Sequence, residues 1–513
     1  MTETKPVVTN ASGTIRGVLE KGIAVFRGIP FARPADRWAA SASLPAATAV
    51  FDATDNGPVS PQVEGYPELF PEGMPPADEF ACLNLNVYSP GIDETRRPVM
   101  VWIHGGGYMT GTGSLGLHEG HPLARQGDVV VVTINYRLGA LGFLRLVDIT
   151  NGDIPSTGNE GLLDMVAALE WVREYIAGFG GDPNNVTIFG ESAGAWGIAS
   201  LLATPSARRL FHKAILQSGG GNRLHSIDEA NHIAARFLAA LGLDGKTAGE
   251  LRHWPIEKLL NAKMKFLAED APRERLGTYI FRPVINDSEV AGSPLDILRA
   301  GCGLPVLAGI NLDEYNLWAG LEPAMRTLDA ETVKRRLTRR FGDELAAEFI
   351  GVYEDSLQGE VLLGKWGAVY SALLTDQVFR VPVLELLGAN RQGGGCSYAY
   401  AFTRPSQLAK GSLGAIHAME ICYVFGNLDY PGMVEFSATG QPGATQLSAE
   451  MMQHWINFAS DGKPGHVRND WKAFDESQRN AMFFGDLSGM RSDHWQAKDK
   501  VWKKVPDTLM RKL

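Results

Sequence analysis

One hydroxyl lies between two glycines in "VTIFGESAGAWG", residues 186 to 197. Gly190-Glu191-Ser192-Ala193-Gly194 has the form G-x-S-x-G and occurs once in the chain. A serine at a sharp strand-to-helix turn is forced into an unfavourable backbone conformation, and neighbours without a Cβ let the strand and the helix approach closely. The hydroxyl then sits outside the carboxyl end of a sheet, where open α/β sheets bind ligands. It also sits at a helix N-terminus, whose dipole favours developing negative charge. The plainer reading of such a serine is an N-cap. The chemical reading is the nucleophile of an acyl transfer.

A second stretch favours the chemical reading. "VMVWIHGGGYMTG" ends an apolar run in His104-Gly105-Gly106-Gly107. Glycines after a buried strand can turn bare amides toward a ligand, and a tetrahedral intermediate needs such donors at its oxyanion. H-G-G-G upstream of G-x-S-x-G is the arrangement of lipases and esterases. The expected donors are the amides of Gly106, Gly107 and Ala193, with His104 structural. A serine also needs a base, and the base an orienting acid, in the chain order serine, acid, histidine. His454 lies in an amphipathic stretch, His466 in an exposed loop and His494 near a polar C-terminus. His417, in "GSLGAIHAMEICYVFG", follows a glycine-rich loop and is expected to open an apolar helix. For the acid, "LPVLAGINLDEYN" ends a strand in Asp313-Glu314, and spacing does not choose between the two.

These residues need a scaffold. "TIRGVLEKGIAVFRG" alternates around Lys21-Gly22 as an edge hairpin, and "LNLNVYSP", "PVMVWIHGGG" and "DVVVVTINYR" read as strands. Leu162, Leu163, Val166, Leu169, Val172 and Ile176 recur at helical spacing. "NVTIFG", "SAGAWGIASLLA" and "KAILQSGG" continue as strand, helix, strand, with later strands at 304 to 311 and 396 to 403. Strands alternating with helices predict a large, mostly parallel sheet with right-handed crossovers. Helical insertions, roughly 226–275 and 321–395, are expected over the active-site end. No Pro, Gly or Ser-rich linker divides the chain, so residues 1–513 are read as a single domain.

Composition narrows the partners. The 513 residues are 45% hydrophobic and 21% charged, with net charge −10 and a pI near 5.6. That balance argues against nucleic acid and anionic membrane as partners. No signal peptide and no membrane-length apolar run is read, which points to a soluble cytoplasmic protein; removal of a leader would also fit. Cys82, Cys302, Cys396 and Cys422 lack metal spacing and are read as buried free thiols. His118 and His121 form an H-x-x-H pair in a stretch read as loop, without a third metal ligand.

The sequence resembles the type-B carboxylesterases, a family that includes bacterial p-nitrobenzyl esterases and cholinesterases. The likeness runs from about residue 13 to about 475 and is carried by "FRGIPFARP", "CLNLNVYSP", "INYRLGALGFL", "GNEGLLDMVAALEWVREYIAGFGGDPNNVTIFGESAGA", "FHKAILQSGG", "GINLDEYN", "GAIHAMEICYVFGN" and "WINFASDGKP". It implies an α/β-hydrolase fold and a serine hydrolase that cleaves small-molecule carboxylic esters through an acyl-enzyme, without a cofactor or metal. Carried over, the triad is Ser192, Glu314 and His417, with Gly106, Gly107 and Ala193 as the oxyanion hole. Ser218 and Glu420 match a serine and a buried glutamate behind the histidine. Amide hydrolysis and acyl transfer would use the same apparatus, whereas silent cholinesterase-like binding modules usually lose a triad member. Oligomeric state is not readable.

Three departures from the family stand out. Ser60 replaces a cysteine expected to pair with Cys82, which points to an intracellular bacterial enzyme. Residues 60 to 82 hold Tyr66, Phe70 and Phe80 but no tryptophan, so choline esters are not the expected substrates. Tyr108 stands where phenylalanine is common, and Trp196 replaces a small residue; each is expected either to reshape the pocket or to pack.

Overall fold

The structure is a computed structural model that describes residues 5–45, 47–63, 73–270, 280–301, 303–356, 362–465, 471–492, 494–506 and 509. Tyr66, Phe70, Cys302 and His466 lie outside them. The described residues form an 11-stranded sheet. Its strands in chain order are β1 (Val18–Glu20), β2 (Ile23–Pro30), β3 (Asn84–Ser89), β4 (Arg97–Ile103), β5 (Val130–Ile134), β6 (Gly181–Glu191), β7 (Lys213–Gln217), β8 (Val306–Asn311), β9 (Ser397–Phe402), β10 (Ala481–Phe484) and β11 (Gly489–Arg491). Their spatial order is β11-β10-β9-β8-β7-β6-β4-β5-β3-β2-β1. Every pairing from β5 through β4 to β10 is parallel, and β1, β2, β3 and β11 pair antiparallel at the two edges. The β1–β2 hairpin turns at Lys21-Gly22, as its alternation predicts. Strands β10 and β11, four and three residues long, were too short to stand out in the sequence.

The continuous apolar runs of the central strands feed two cores, one on each face. Val99, Val101 and Ile103 of β4 join one cluster, while Met100 and Trp102 join the other. Successive strand residues point to opposite faces, so a strand covered on both sides must be apolar throughout. Helices α1 (Glu160–Tyr175) and α2 (Ala193–Leu202) cover the first face. The insertion ranges hold α3 (Ile227–Ala240), α4 (Ile256–Asp270), α5 (Ala330–Phe341), α6 (Asp343–Asp355), α7 (Gly364–Thr375) and α8 (Val381–Gln392). Helix α8 packs on β8 and β9 as a crossover helix, while α5 to α7 build a small core of their own with Val501 and Trp502. Helix α9 (Ala444–Asp461) covers the second face through Met451, Trp455 and Phe458.

The chain leaves β4 to form β5 on one side and returns to form β6 on the other. That reversal makes a crevice at the carboxyl ends of β4 and β6, the position where such sheets bind ligands. Gly105 follows β4, and Ser192 follows β6. The segment after β5 braces the glycine loop: the Gly139 amide donates to the Tyr108 carbonyl at 2.7 Å, and the Leu138 amide donates to Ser60 Oγ at 3.1 Å. Ser60 thus binds backbone, and Cys82 stays a buried free thiol. Cys422 is likewise buried and free, but Cys396 is only half-buried, because it lies just outside β9.

Arg137 anchors the same segment. Its Nε and Nη2 donate to the two Asp164 oxygens of α1 at 2.7 and 2.8 Å, and Nη1 donates to the Ala39 carbonyl at 2.8 Å. Both side chains are buried. Removing one partner of a buried pair leaves an uncompensated charge and costs about 3–5 kcal/mol. Asp164→Ala is therefore expected to lower stability by about that amount in urea denaturation; a change within ~0.5 kcal/mol, the usual range for surface substitutions, would contradict this role.

Candidate active site

Ser192 caps α2 with φ 55° and ψ −118°, in the left-handed half of backbone space that costs a non-glycine residue about 1–3 kcal/mol. The flanking glycines have a specific cause. A Cβ on Gly190 would lie 2.6 Å from the Ile103 carbonyl oxygen, and one on Gly194 would lie 2.0 Å from it. Only residues without side chains let β6 and α2 close on the end of β4. The Ser192 amide donates to the Gln217 carbonyl at 2.8 Å and its carbonyl accepts from Trp196, which holds the turn in place.

The glycine loop closes over this turn. Gly106 and Gly107 have φ 104° and 63°, and a Cβ on Gly106 would sit 2.1 Å from the Thr110 carbonyl oxygen. The Gly106 carbonyl accepts from the amides of Met109 and Thr110. Among the described residues no backbone carbonyl accepts from the amides of Gly106 or Gly107. His104 is buried and stacks on Tyr136 at 4.4 Å. Burial lowers its pKa to about 4, so it is neutral and structural.

The acid and the histidine meet across more than a hundred residues. His417 Nδ1 lies 2.6 Å from Glu314 Oε2, and Glu314 Oε1 accepts from the Asn311 amide at 2.8 Å. Asp313 points elsewhere: it accepts from the Ala415 amide at 2.9 Å, and burial pushes its pKa up to about 6. Adjacent residues on a strand-end turn diverge, which separates the two acids that spacing left open. His417 does not open a helix. It sits in a turn, with the helix starting only at Ile421, because Ala418 takes φ 69°. His454 is a helix residue, its Nδ1 2.8 Å from the Pro464 carbonyl, and His494 packs on Phe483 and Trp495.

The other imidazole nitrogen faces a residue that the sequence reading passed over. His417 Nε2 lies 2.9 Å from Glu191 Oε1, within ion-pair distance but outside hydrogen-bond alignment. Among the described residues Ser192 Oγ forms no hydrogen bond with His417. Glu191 Oε2 is also the first atom that a Cβ on Gly105 would meet, at 2.6 Å, so this carboxylate fills the corner between the glycine loop, the serine turn and the imidazole. Burial opposes a charged imidazole, but Glu191 and Glu314 outweigh it and raise the His417 pKa well above its ordinary value.

Behind the histidine is a buried polar layer. Glu420 accepts from Gln217 Nε2 at 3.0 Å and from Asn311 Nδ2 at 2.7 Å, and Asn311 Nδ2 also donates to the Ile416 carbonyl at 2.8 Å. Burial, with Glu191 and Glu314 nearby, pushes the Glu420 pKa up to about 7. Ser218 is fully buried with φ 55°, and its amide donates to the Gly309 carbonyl at 2.8 Å. Its Oγ has no partner among the described residues, so it is not joined to His417.

Aromatic rings wall the imidazole. Trp318 and Phe379 have centroids 4.9 and 4.8 Å from it, and Trp196 stacks on Phe379 at 6.3 Å. Trp196 is buried with the Arg223 guanidinium over its face, and Tyr108 is buried against Phe143. Phe379 sits on a π-helical turn, Asp376–Arg380, between α7 and α8. Arg380 fixes that turn, bonding both Asp376 oxygens and Asp499 of a C-terminal helix, Gln496–Trp502, at 2.5 to 2.8 Å. No local motif marks Glu191, Gln217, Asn311, Trp318 or Phe379; only the "x" of G-x-S-x-G hints at the first. His118 and His121 are buried in short helical segments, not in a loop, and among the described residues no group of three His, Cys, Asp or Glu could hold a metal.

The comparisons with known proteins agree with one another. The profile of the carboxylesterase family matches residues 4–502. The para-nitrobenzyl esterase of Bacillus subtilis (strain 168) is 35% identical over 497 residues, covering 96% of this chain and 97% of that protein. The phenmedipham hydrolase of Pseudarthrobacter oxydans is 34% identical over 494 residues, covering 94% and 96%. Among solved structures, a thermophilic PNB esterase superposes with a TM-score of 0.86 at 33% identity, over 97% of this chain and 100% of that one. A Geobacillus stearothermophilus carboxylesterase gives 0.85 at 34%, over 97% and 99%.

The charge arrangement fixes a sign. The native imidazole holds its proton above the ordinary histidine value, so the stability it adds is complete below that value and is lost as pH rises through the native one. Glu420 acts in the same sense, because its raised pKa means the native carboxyl keeps a proton that the unfolded one releases. Glu191→Gln removes the carboxylate that acts most strongly on the imidazolium and should lower the His417 titration midpoint, read by NMR of 13C-labelled histidine. An unchanged midpoint would show that Glu191 does not stabilise the imidazolium.

Proposed function

The chain belongs to the carboxylesterase family and is a carboxylic-ester hydrolase of α/β-hydrolase fold, and from that premise we propose that it works through an acyl-enzyme on Ser192, with His417 as general base and acid and Glu314 as the orienting carboxylate. The observation that carries this reading is the 2.6 Å contact between His417 Nδ1 and Glu314 Oε2 beside a serine held at positive φ. With Nδ1–H committed to Glu314, the neutral ring has a lone pair only at Nε2. Nε2 turns from Glu191 to Ser192 Oγ and takes its proton as the oxygen attacks the ester carbonyl carbon. The amides of Gly106, Gly107 and Ala193 receive the oxyanion. The imidazolium, steadied by Glu314 and Glu191, gives its proton to the departing alcohol as the C–O bond breaks. Water then repeats the cycle on the acyl-enzyme and releases the acid.

The raised His417 pKa requires the pH to exceed it before the base is neutral, so activity rises with pH on its acid side. The names of the para-nitrobenzyl esterase and the phenmedipham hydrolase, together with the Trp318, Phe379 and Trp196 rings, support small esters with an aromatic part as substrates. The free thiols of Cys82, Cys396 and Cys422 support a reducing compartment such as the cytoplasm.

Ser192→Ala is expected to lower turnover of a p-nitrobenzyl ester by several orders of magnitude, ~10⁶ in the strongest precedent, with an unchanged circular dichroism spectrum. Near-normal turnover, or failure of an organophosphonate to label Ser192, would refute the assignment. Gly106→Ala pushes a methyl into the Thr110 carbonyl and should cost about 10²–10³ in kcat, the usual loss for an oxyanion donor. Paired rates on an ester and its matching anilide separate ester from amide hydrolysis.

A further inference from the structure

Away from this site lies an open groove of about 960 Å³ that includes none of Ser192, Glu314 and His417. It is built at the carboxyl ends of β9 and β10, on the same rim of the sheet. One wall is Arg404, a guanidinium only 3% exposed. Its Nη2 donates to the Pro442 carbonyl at 2.9 Å, while Nε and Nη1 have no hydrogen-bond acceptor among the described residues. Asp486 is 3.3 Å from Nη1 but out of line, with its side chain 77% exposed. Buried donors without acceptors cost free energy, and a guanidinium is suited to oxyanions.

Beside it lies the N-terminus of α9, a helix of 18 residues. Gly443 caps it at φ 81° without a side-chain acceptor. The Ala444 amide is taken by the Gln441 carbonyl at 3.2 Å, and the first helical bond runs from the Leu447 amide to the Gly443 carbonyl at 2.9 Å. The amides of Thr445 and Gln446 between them have no backbone acceptor among the described residues. A Cβ on Gly443 would lie 3.9 Å from Arg404 Nη1, so the buried cation and the bare helix end face the same space. A helix N-terminus carries about half a positive charge and presents its amides to anions.

We propose that this groove binds a small molecule through a terminal oxyanion, a phosphate or a carboxylate, held by Arg404 and the α9 N-terminus. Gln407 and Gln446 also line the groove and suit a polar, hydroxylated body, while Gln453 and Asn457 are bonded to each other at 2.9 Å. Glu450 is engaged by Ser488 Oγ at 2.9 Å, and Asp486 is the resident anion that the ligand displaces.

The test is calorimetric titration of the full chain with potassium phosphate and with potassium acetate, at ionic strength matched by KCl. Phosphate should bind saturably, and Arg404→Gln should weaken it roughly tenfold or more while ester turnover stays unchanged. Gln446→Asp, which places a carboxylate in the first turn of α9, should also weaken it. Asp486→Asn, which removes the competitor, should tighten it; the last two variants keep the test open if Arg404→Gln does not fold. Acetate binding at the same site would identify a carboxylate ligand, and phosphate alone a phosphate ester. Absence of binding to the wild-type chain, or affinity unchanged by all three substitutions, would overturn the proposal. Neither result depends on the roles proposed for Ser192 and His417.

Discussion

The backbone at Ser192 depends on a close approach that only hydrogen atoms permit. Strand β6 and helix α2 meet the end of β4 so tightly that the Ile103 carbonyl oxygen occupies the space of a side chain at both Gly190 and Gly194. This packing holds the serine at positive φ just past the end of β6. The strain is local, and the large parallel sheet stabilises it. The same strand end delivers Gly105 to Gly107, so one crowded junction positions both the hydroxyl and the bare amides.

The electrostatics follow from that junction. Glu191, the residue before the serine, is turned inward by the same geometry and lies against Gly105 and His417. The imidazole is therefore bracketed by Glu191 and Glu314, with Glu420 close behind. Three carboxylates in a buried site repel one another, and the outcome divides by partner. Burial and its neighbours raise the Glu420 pKa, while the imidazole gains two counter-charges and holds its proton. Gln217 and Asn311 tie Glu420 to the carboxyl ends of β7 and β8, which keeps this layer rigid.

The histidine is also held by apolar packing from a distance. Phe379 reaches it from a π-helical turn, a distortion that often marks functional sites. Asp499, near the end of the chain, fixes Arg380 of that turn. The C-terminal helix thus contributes to the wall of a site whose serine lies about three hundred residues earlier, by numbering.

Much of this molecule is legible in its sequence because the relevant forces are local. G-x-S-x-G and H-G-G-G encode backbone geometry within a few residues, and the nearly continuous apolar runs of β4 and β5 announce strands covered on both faces. Resemblance to a family supplied the choice of Glu314 over Asp313 that spacing left open. Strands β10 and β11, the turn that carries His417, the contact between Glu191 and the imidazole, and the groove at Arg404 were decided only by tertiary packing. Each depends on atoms distant in the chain meeting at angstrom distances: Ala418 takes a left-handed turn, Glu191 has a single corner to fill, and a helix end comes to face a strand end. A sequence states which residues are available, and the close packing of the interior decides which of them touch.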